Sequence, residues 1–144
     1  MHVQHILRSK GTTVATIAPA ATLADATAAL RDHGVGALVV SADGRTIDGI
    51  VSERDVVRAL AAHGASTLGR DVASAMSSTV ATCRADDIVD DLMATMTERR
   101  IRHVPVVDDA NHLAGIISIG DVVKARVGQL EQENSQLHDY IQAR

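Results

Sequence analysis

Gly49-Ile50-Val51-Ser52-Glu53-Arg54-Asp55-Val56-Val57 and Gly115-Ile116-Ile117-Ser118-Ile119-Gly120-Asp121-Val122-Val123 are two versions of one phrase, 66 positions apart. The same shift lays Val14-Ala15-Thr16 on Val80-Ala81-Thr82, Asp25 on Asp91 and Val40 on Val106. From Val14 to Arg58 it gives 13 identities in 45 ungapped positions, which marks an internal duplication. Upstream, Val3 to Leu7 matches Val72 to Met76 once the first copy is allowed three extra residues.

Each copy reads outward from its phrase in the same order. Val14 to Ile17 predicts a short strand ending before Pro19. Thr22-Leu23-Ala24-Asp25 predicts a helix start, with Thr22 and Asp25 as a capping box. Leu23, Ala26, Ala29 and Leu30 share one face of that helix, and Gly34 stops it. Gly36 to Val40 and Ile47 to Val51 predict a hairpin around Ala42-Asp43-Gly44-Arg45, and Ser52 opens a second helix. The second copy predicts strands at Val80–Cys83, Val104–Val107 and Leu113–Ile117, with helices from Asp87 and after Ser118. The order is β-α-β-β-α, twice. One copy of about 60 residues buries too little surface to stand alone, so the short linker His63 to Gly69 implies that the copies pack together.

Composition narrows the function. The chain has 144 residues, 46% hydrophobic and 22% charged, which is globular. It has no Phe or Trp and one Tyr, Tyr140, so it lacks the set of aromatic rings on which single-stranded nucleic acid usually stacks. The net charge of -4 argues against a duplex binder driven by phosphate neutralisation. Cys83 is the sole cysteine, so no disulfide framework or cysteine-rich zinc site is expected. No run of apolar residues has the length of a membrane span or the form of a signal peptide, so no membrane association and a reducing, cytoplasmic location are expected. No nucleophile-base-acid trio or Gly-rich phosphate loop is present as a motif, and His2 and His5 lack a third metal ligand nearby.

A tandem β-α-β-β-α motif, each copy ending in G-[IV]-[IV]-S-x-x-D, resembles the cystathionine-β-synthase (CBS) domain pair, or Bateman module. Arg102-His103-Val104-Pro105-Val106-Val107 before the second hairpin adds to the resemblance. It covers roughly Val3 to Ala125 and implies an α/β (α+β) fold, with the two motifs packed as one pseudo-two-fold module. The first motif falls at 7–66, the second at 74–128 and a C-terminal helix at 129–144. The resemblance implies a stand-alone regulatory module, not an enzyme, binding AMP, ADP, ATP, NAD(H) or S-adenosylmethionine between the motifs. It also implies a homodimer and an unidentified protein partner.

An adenosine phosphate presents an apolar base, a vicinal diol and an anion. A carboxylate accepts both diol hydrogens, and a helix start with a hydroxyl suits phosphate. By the resemblance, Ser52 and Ser118 approach the phosphate side and Asp55 and Asp121 the ribose. Thr16-Ile17 and Thr82-Cys83 lie by the base, with Pro105 in the adjoining strand. The resemblance also implies that the cleft of Ser52 and Asp55 faces Arg102 and His103, which with Arg54 would supply donors, whereas the cleft of Ser118 and Asp121 faces Gly36 and Ala37 and gains none. The first cleft therefore ranks above the second. S-x-x-D at a helix start is equally a plain cap. A ligand-free scaffold, in which both pairs only cap helices, is the alternative.

The tail carries its own pattern. Val123, Val127, Leu130, Asn134, Leu137 and Ile141 alternate by four and three, the a/d seam of a coiled coil with Asn134 at an a position. An amphipathic helix folded back on its own domain is the other reading.

Overall fold

The computed structural model describes residues 1–143. The predicted caps form first in the logic of the chain. Thr22 Oγ1 accepts from the Asp25 amide at 3.1 Å and Asp25 Oδ2 accepts from the Thr22 amide at 3.2 Å, opening α2 (Leu23–His33). Each box satisfies donors that a helix start otherwise leaves unpaired. Gly34, at φ 63°, closes α2 in the left-handed region that favours glycine. Ser52 and Asp55 open α3 (Glu53–His63) in the same way, and Ser118 and Asp121 open α5 (Ile119–Gln142). The predicted helix from Asp87 begins slightly later, as α4 (Val89–Arg99).

In the first half, β1 (Thr16–Ile17) runs parallel to β2 (Ala37–Val40), which pairs antiparallel with β3 (Gly49–Ser52). The second half holds the hairpin of β4 (His103–Val107) and β5 (Leu113–Ser118). The strand expected at Val80–Cys83 shrinks to a single parallel bridge between Cys83 and Val106. Proline chemistry explains it. In the first half the Val39 amide donates to the Ala15 carbonyl at 3.2 Å. The residue equivalent to Val39 is Pro105, which has no N–H to give Ala81. The bonds on either side of Cys83 survive: Cys83 N to Pro105 O at 3.0 Å and Val107 N to Cys83 O at 2.9 Å.

The two halves exchange their leading segments. α1 (Val3–Lys10) comes from the first half, yet Val3, Ile6 and Leu7 pack with Cys83, Leu92, Met96 and Ile117 of the second. Val72, from the start of the second half, packs with Leu23, Leu38, Val51 and Val56 of the first. The backbone repeats the exchange: His2 bridges Ile88, and Asp71 bridges Thr22. Val3 and Val72 are both 0% exposed. Each contributes about 1.5–3 kcal/mol by full burial, and each does so to the other half. That is why neither half is a separate domain. The Arg45 carbonyl accepts from the Leu113 amide at 2.7 Å and ties the two hairpins together. α5 passes unbroken through 128–129, so the tail is the continuation of the last helix and not a separate element.

Candidate functional site

The repeat places two acidic helix starts in equivalent positions. At the first, Asp55 Oδ2 accepts from the Ser52 amide at 2.8 Å and the Ser52 hydroxyl at 3.0 Å. The Asp55 amide donates to Ser52 Oγ at 3.3 Å. All these carboxylate bonds fall on Oδ2; Oδ1 of Asp55 accepts none among the described residues. Both side chains are half-buried. A carboxylate so held is fixed by its cap and still has acceptor capacity in hand.

At the second, Asp121 Oδ2 accepts from the Ser118 amide at 2.8 Å and from Lys10 Nζ at 2.5 Å. Lys10 Nζ also donates to the Ile116 carbonyl at 2.8 Å. Burial pushes the Asp121 carboxyl up, but the Lys10 and Ser118 hydrogen bonds and the Lys10 charge together hold it below the usual carboxylate range. In the first half the equivalent carbonyl, that of Ile50, accepts the Ser77 amide at 2.9 Å instead. Lys10 stands in the last turn of α1, which the three extra residues of the first copy make room for. The expectation that the second cleft gains no cation is therefore corrected.

Two open grooves flank these carboxylates. One, of about 230 Å³, is lined by Asp55, Arg58, His63, Arg70 and Ser74. The other, of about 570 Å³, is lined by His5, Ser9, Lys10, Asp121, Lys124 and Gln132 among others. The 66-residue shift turns Asp55 and Arg58 of the first into Asp121 and Lys124 of the second. Arg58, Arg70 and Lys124 are cations that motif reading missed; their only sequence signal is the equivalence of Arg58 with Lys124.

The other predicted residues are placed as follows. Thr16, Arg54, Thr82 and Arg102 are exposed, and Ile17 and His103 are half-buried. None of these lines either groove. Cys83 and Pro105 are buried. The Cys83 side chain packs in the core of the second half, where burial, with the charge of Asp87 added, pushes its thiol up to about 12. Arg102 contributes its carbonyl to the start of α5, accepting from the Ile119 amide at 2.8 Å. His103 sits between the halves. A β-carbon on Gly36 would lie 3.4 Å from His103 Cε1 and 3.3 Å from Glu53 Oε1. Burial first and then the Lys10 charge hold its imidazole below the ordinary range, with Arg102 acting in the same direction and Glu53 and Asp121 opposing. Glu53, which lies beside His103 at Gly36, is the first residue of α3, so His103 stands near the starts of both α3 and α5.

The CBS domain family model matches twice, at 6–62 and 70–128. The chain belongs to the CBS domain family. A CBS-domain containing protein from Agrobacterium tumefaciens, solved by crystallography, superposes with a TM-score of 0.84 at 46% identity, covering 88% of this chain and 99% of that one. The CBS domain pair of protein MJ0100, solved in complex with 5′-methylthioadenosine and S-adenosyl-L-methionine, superposes with a TM-score of 0.79 at 25% identity, covering 90% of this chain and 98% of that one. The mitochondrial CBS domain-containing protein CBSX3 of Arabidopsis thaliana is 38% identical over 125 residues, or 84% of this chain. This CBS pair spans 60% of the length of that relative. No helix among the described residues is long and apolar enough to cross a membrane, and no cluster of three or more metal-binding side chains is present among them.

Proposed function

We propose that the chain is a regulatory module that binds an adenosine-containing ligand and passes the bound state on through dimer or protein-partner contacts. The observation that carries this reading is Asp55: a carboxylate anchored through one oxygen at a capped helix start, beside Arg58 and Arg70 in one groove. A diol needs a carboxylate acceptor and a phosphate needs cationic donors, and both lie there. The MJ0100 complexes support adenosine as the ligand class. The Asp55 groove is the primary site, because Asp121 already carries Lys10. AMP, ADP, ATP, NAD(H) and S-adenosylmethionine are the ligands to screen. The reading is regulatory rather than catalytic. A homodimer fits the exposed Val57 and Leu60 of α3 and Val123 of α5, apolar side chains that are only partly covered in one chain.

The test is a thermal melt against each ligand. A ligand at 100 times its Kd adds about 2.7 kcal/mol, or about 5–10 °C for a domain of this size. If no adenosine ligand at millimolar concentration moves the melt by more than about a degree, the module is a ligand-free scaffold.

A further inference from the structure

The end of α5 is exposed to solvent. From Leu130 onward every described residue is exposed, and beyond Gln132, which still lines the larger groove, about three turns leave the body of the module. A helix of such length is marginal in water by itself. Its apolar residues are not scattered. Val123 (51% exposed), Val127 (48%), Leu130 (56%), Leu137 (58%) and Ile141 (60%) form one stripe, interrupted only by Asn134. At 3.6 residues per turn the stripe lies about 100° around the helix from Val122 and about 160° from Ala125, which pack on the core. The stripe is therefore open along its whole length, including the part beside the body. The alternative in which the tail folds back on its own domain does not occur.

We infer that this stripe pairs with the same stripe of a second copy, as a parallel and in-register two-helix coiled coil. Hydrogen bonding chooses this occupant, and the flanking polar residues are compatible with it. In a parallel pair, each g residue faces the e residue five positions on in the other helix. Here that sets Glu133 against His138 and Arg126 against Glu131. Both pairs have competition: Arg126 already lies 3.5 Å from Asp90 of α4 and donates to Gln129, and His138 Nε2 lies 3.1 Å from Gln142 Nε2. Asn134 decides the direction. In-register pairing puts Asn134 against Asn134 of the second copy, where each side-chain amide finds a partner. An antiparallel seam stacks a against d, sets Asn134 against Leu130 or Leu137, and leaves it unsatisfied. Gly128 falls at a b position on the outside, with nothing within 4 Å, and costs the seam no packing. Six layers make a short zipper, so it reinforces contacts between the modules and fixes both tails on one side of the dimer. This inference does not depend on the ligand.

The full chain tests it by two measurements. Leu137→Asp changes an exposed residue, so the module stays folded. In sedimentation equilibrium it raises the dimer dissociation constant at least tenfold, and Asn134→Leu lowers it or raises the oligomer order. For direction, Gln142→Cys carries a nitroxide, while Cys83 is buried and stays unlabelled. Parallel pairing puts the two labels within about 25 Å, two helix diameters. A wild-type monomer, an unchanged constant in Leu137→Asp, or label distances of about 30 Å or more each overturn the inference.

Discussion

Lys10→Met is the sharpest probe of the asymmetry between the two halves. The substitution keeps the aliphatic stem and deletes the ammonium that bonds Asp121 at 2.5 Å and the Ile116 carbonyl at 2.8 Å. The side chains of Lys10 and Asp121 are 31% and 23% exposed. Exposed ion pairs contribute about 0.2–1 kcal/mol and hydrogen bonds to charged groups about 1.5–3 kcal/mol. Partial screening at this exposure puts the pair near 1–1.5 kcal/mol, or about 3–5 °C in Tm. The pH dependence has a definite sign. The Asp121 carboxyl is held low in the folded state, so its contribution is complete above the ordinary carboxyl pKa of about 3.9 and is lost as pH falls through the depressed folded value. Thermal melts of wild type, Lys10→Met, Asp121→Asn and the double variant at pH 7 and pH 3 measure both. The single variants lose stability at pH 7, the double loses less than their sum, and the Lys10→Met deficit shrinks at pH 3. A Lys10→Met melt within a degree of wild type at pH 7, or a deficit that persists undiminished in acid, refutes the reasoning.

Two further outcomes follow from packing. A β-carbon at Gly49 meets Met76 Sδ at 2.7 Å and the Ser77 backbone oxygen at 2.8 Å, whereas at Gly115 the nearest atom is the flexible end of Leu7, also at 2.8 Å. Gly49→Ala therefore costs about 1–3 kcal/mol and Gly115→Ala less, and urea unfolding of the pair gives the order. Burial pushes the Cys83 thiol up to about 12, so at pH 8 an aromatic disulfide reagent modifies the native protein at least about a hundredfold more slowly than the urea-unfolded chain; rapid native modification would place Cys83 at an accessible surface.

The duplicated architecture was legible because its signals are local. Ser52-x-x-Asp55 and Ser118-x-x-Asp121 are caps that form within four residues, and the hairpins are set by short turns and apolar runs. What the sequence hid is the relation between distant segments. The likeness of Val3–Leu7 to Val72–Met76 showed that the two are equivalent, but nothing local says that each packs in the opposite half. Lys10 escaped notice for the same reason: it meets Asp121 across 111 positions of chain. The lost strand at Val80–Cys83 was readable in principle, since Pro105 stands in the one place where its partner strand needed a backbone donor. The influence of Lys10 on His103 was equally hidden, because the exchange of segments is what brings α1 to the second half.

Calorimetric titration of an adenosine ligand into wild type, Asp55→Ala and Asp121→Ala tests the central claim most directly. Losing a carboxylate that accepts the ribose diol costs about 1.5–3 kcal/mol, so Asp55→Ala weakens binding about ten- to a hundredfold while Asp121→Ala changes it less. Loss of the cap lowers the stability of either ligand-free variant by about 0.5–2 kcal/mol, and Asp121→Ala loses the Lys10 pair as well; melts of the same samples separate these losses from the binding term. No binding heat from AMP, ATP, NAD(H), S-adenosylmethionine or 5′-methylthioadenosine, or equal affinity in wild type and Asp55→Ala, would contradict the assignment of that groove to an adenosine ligand.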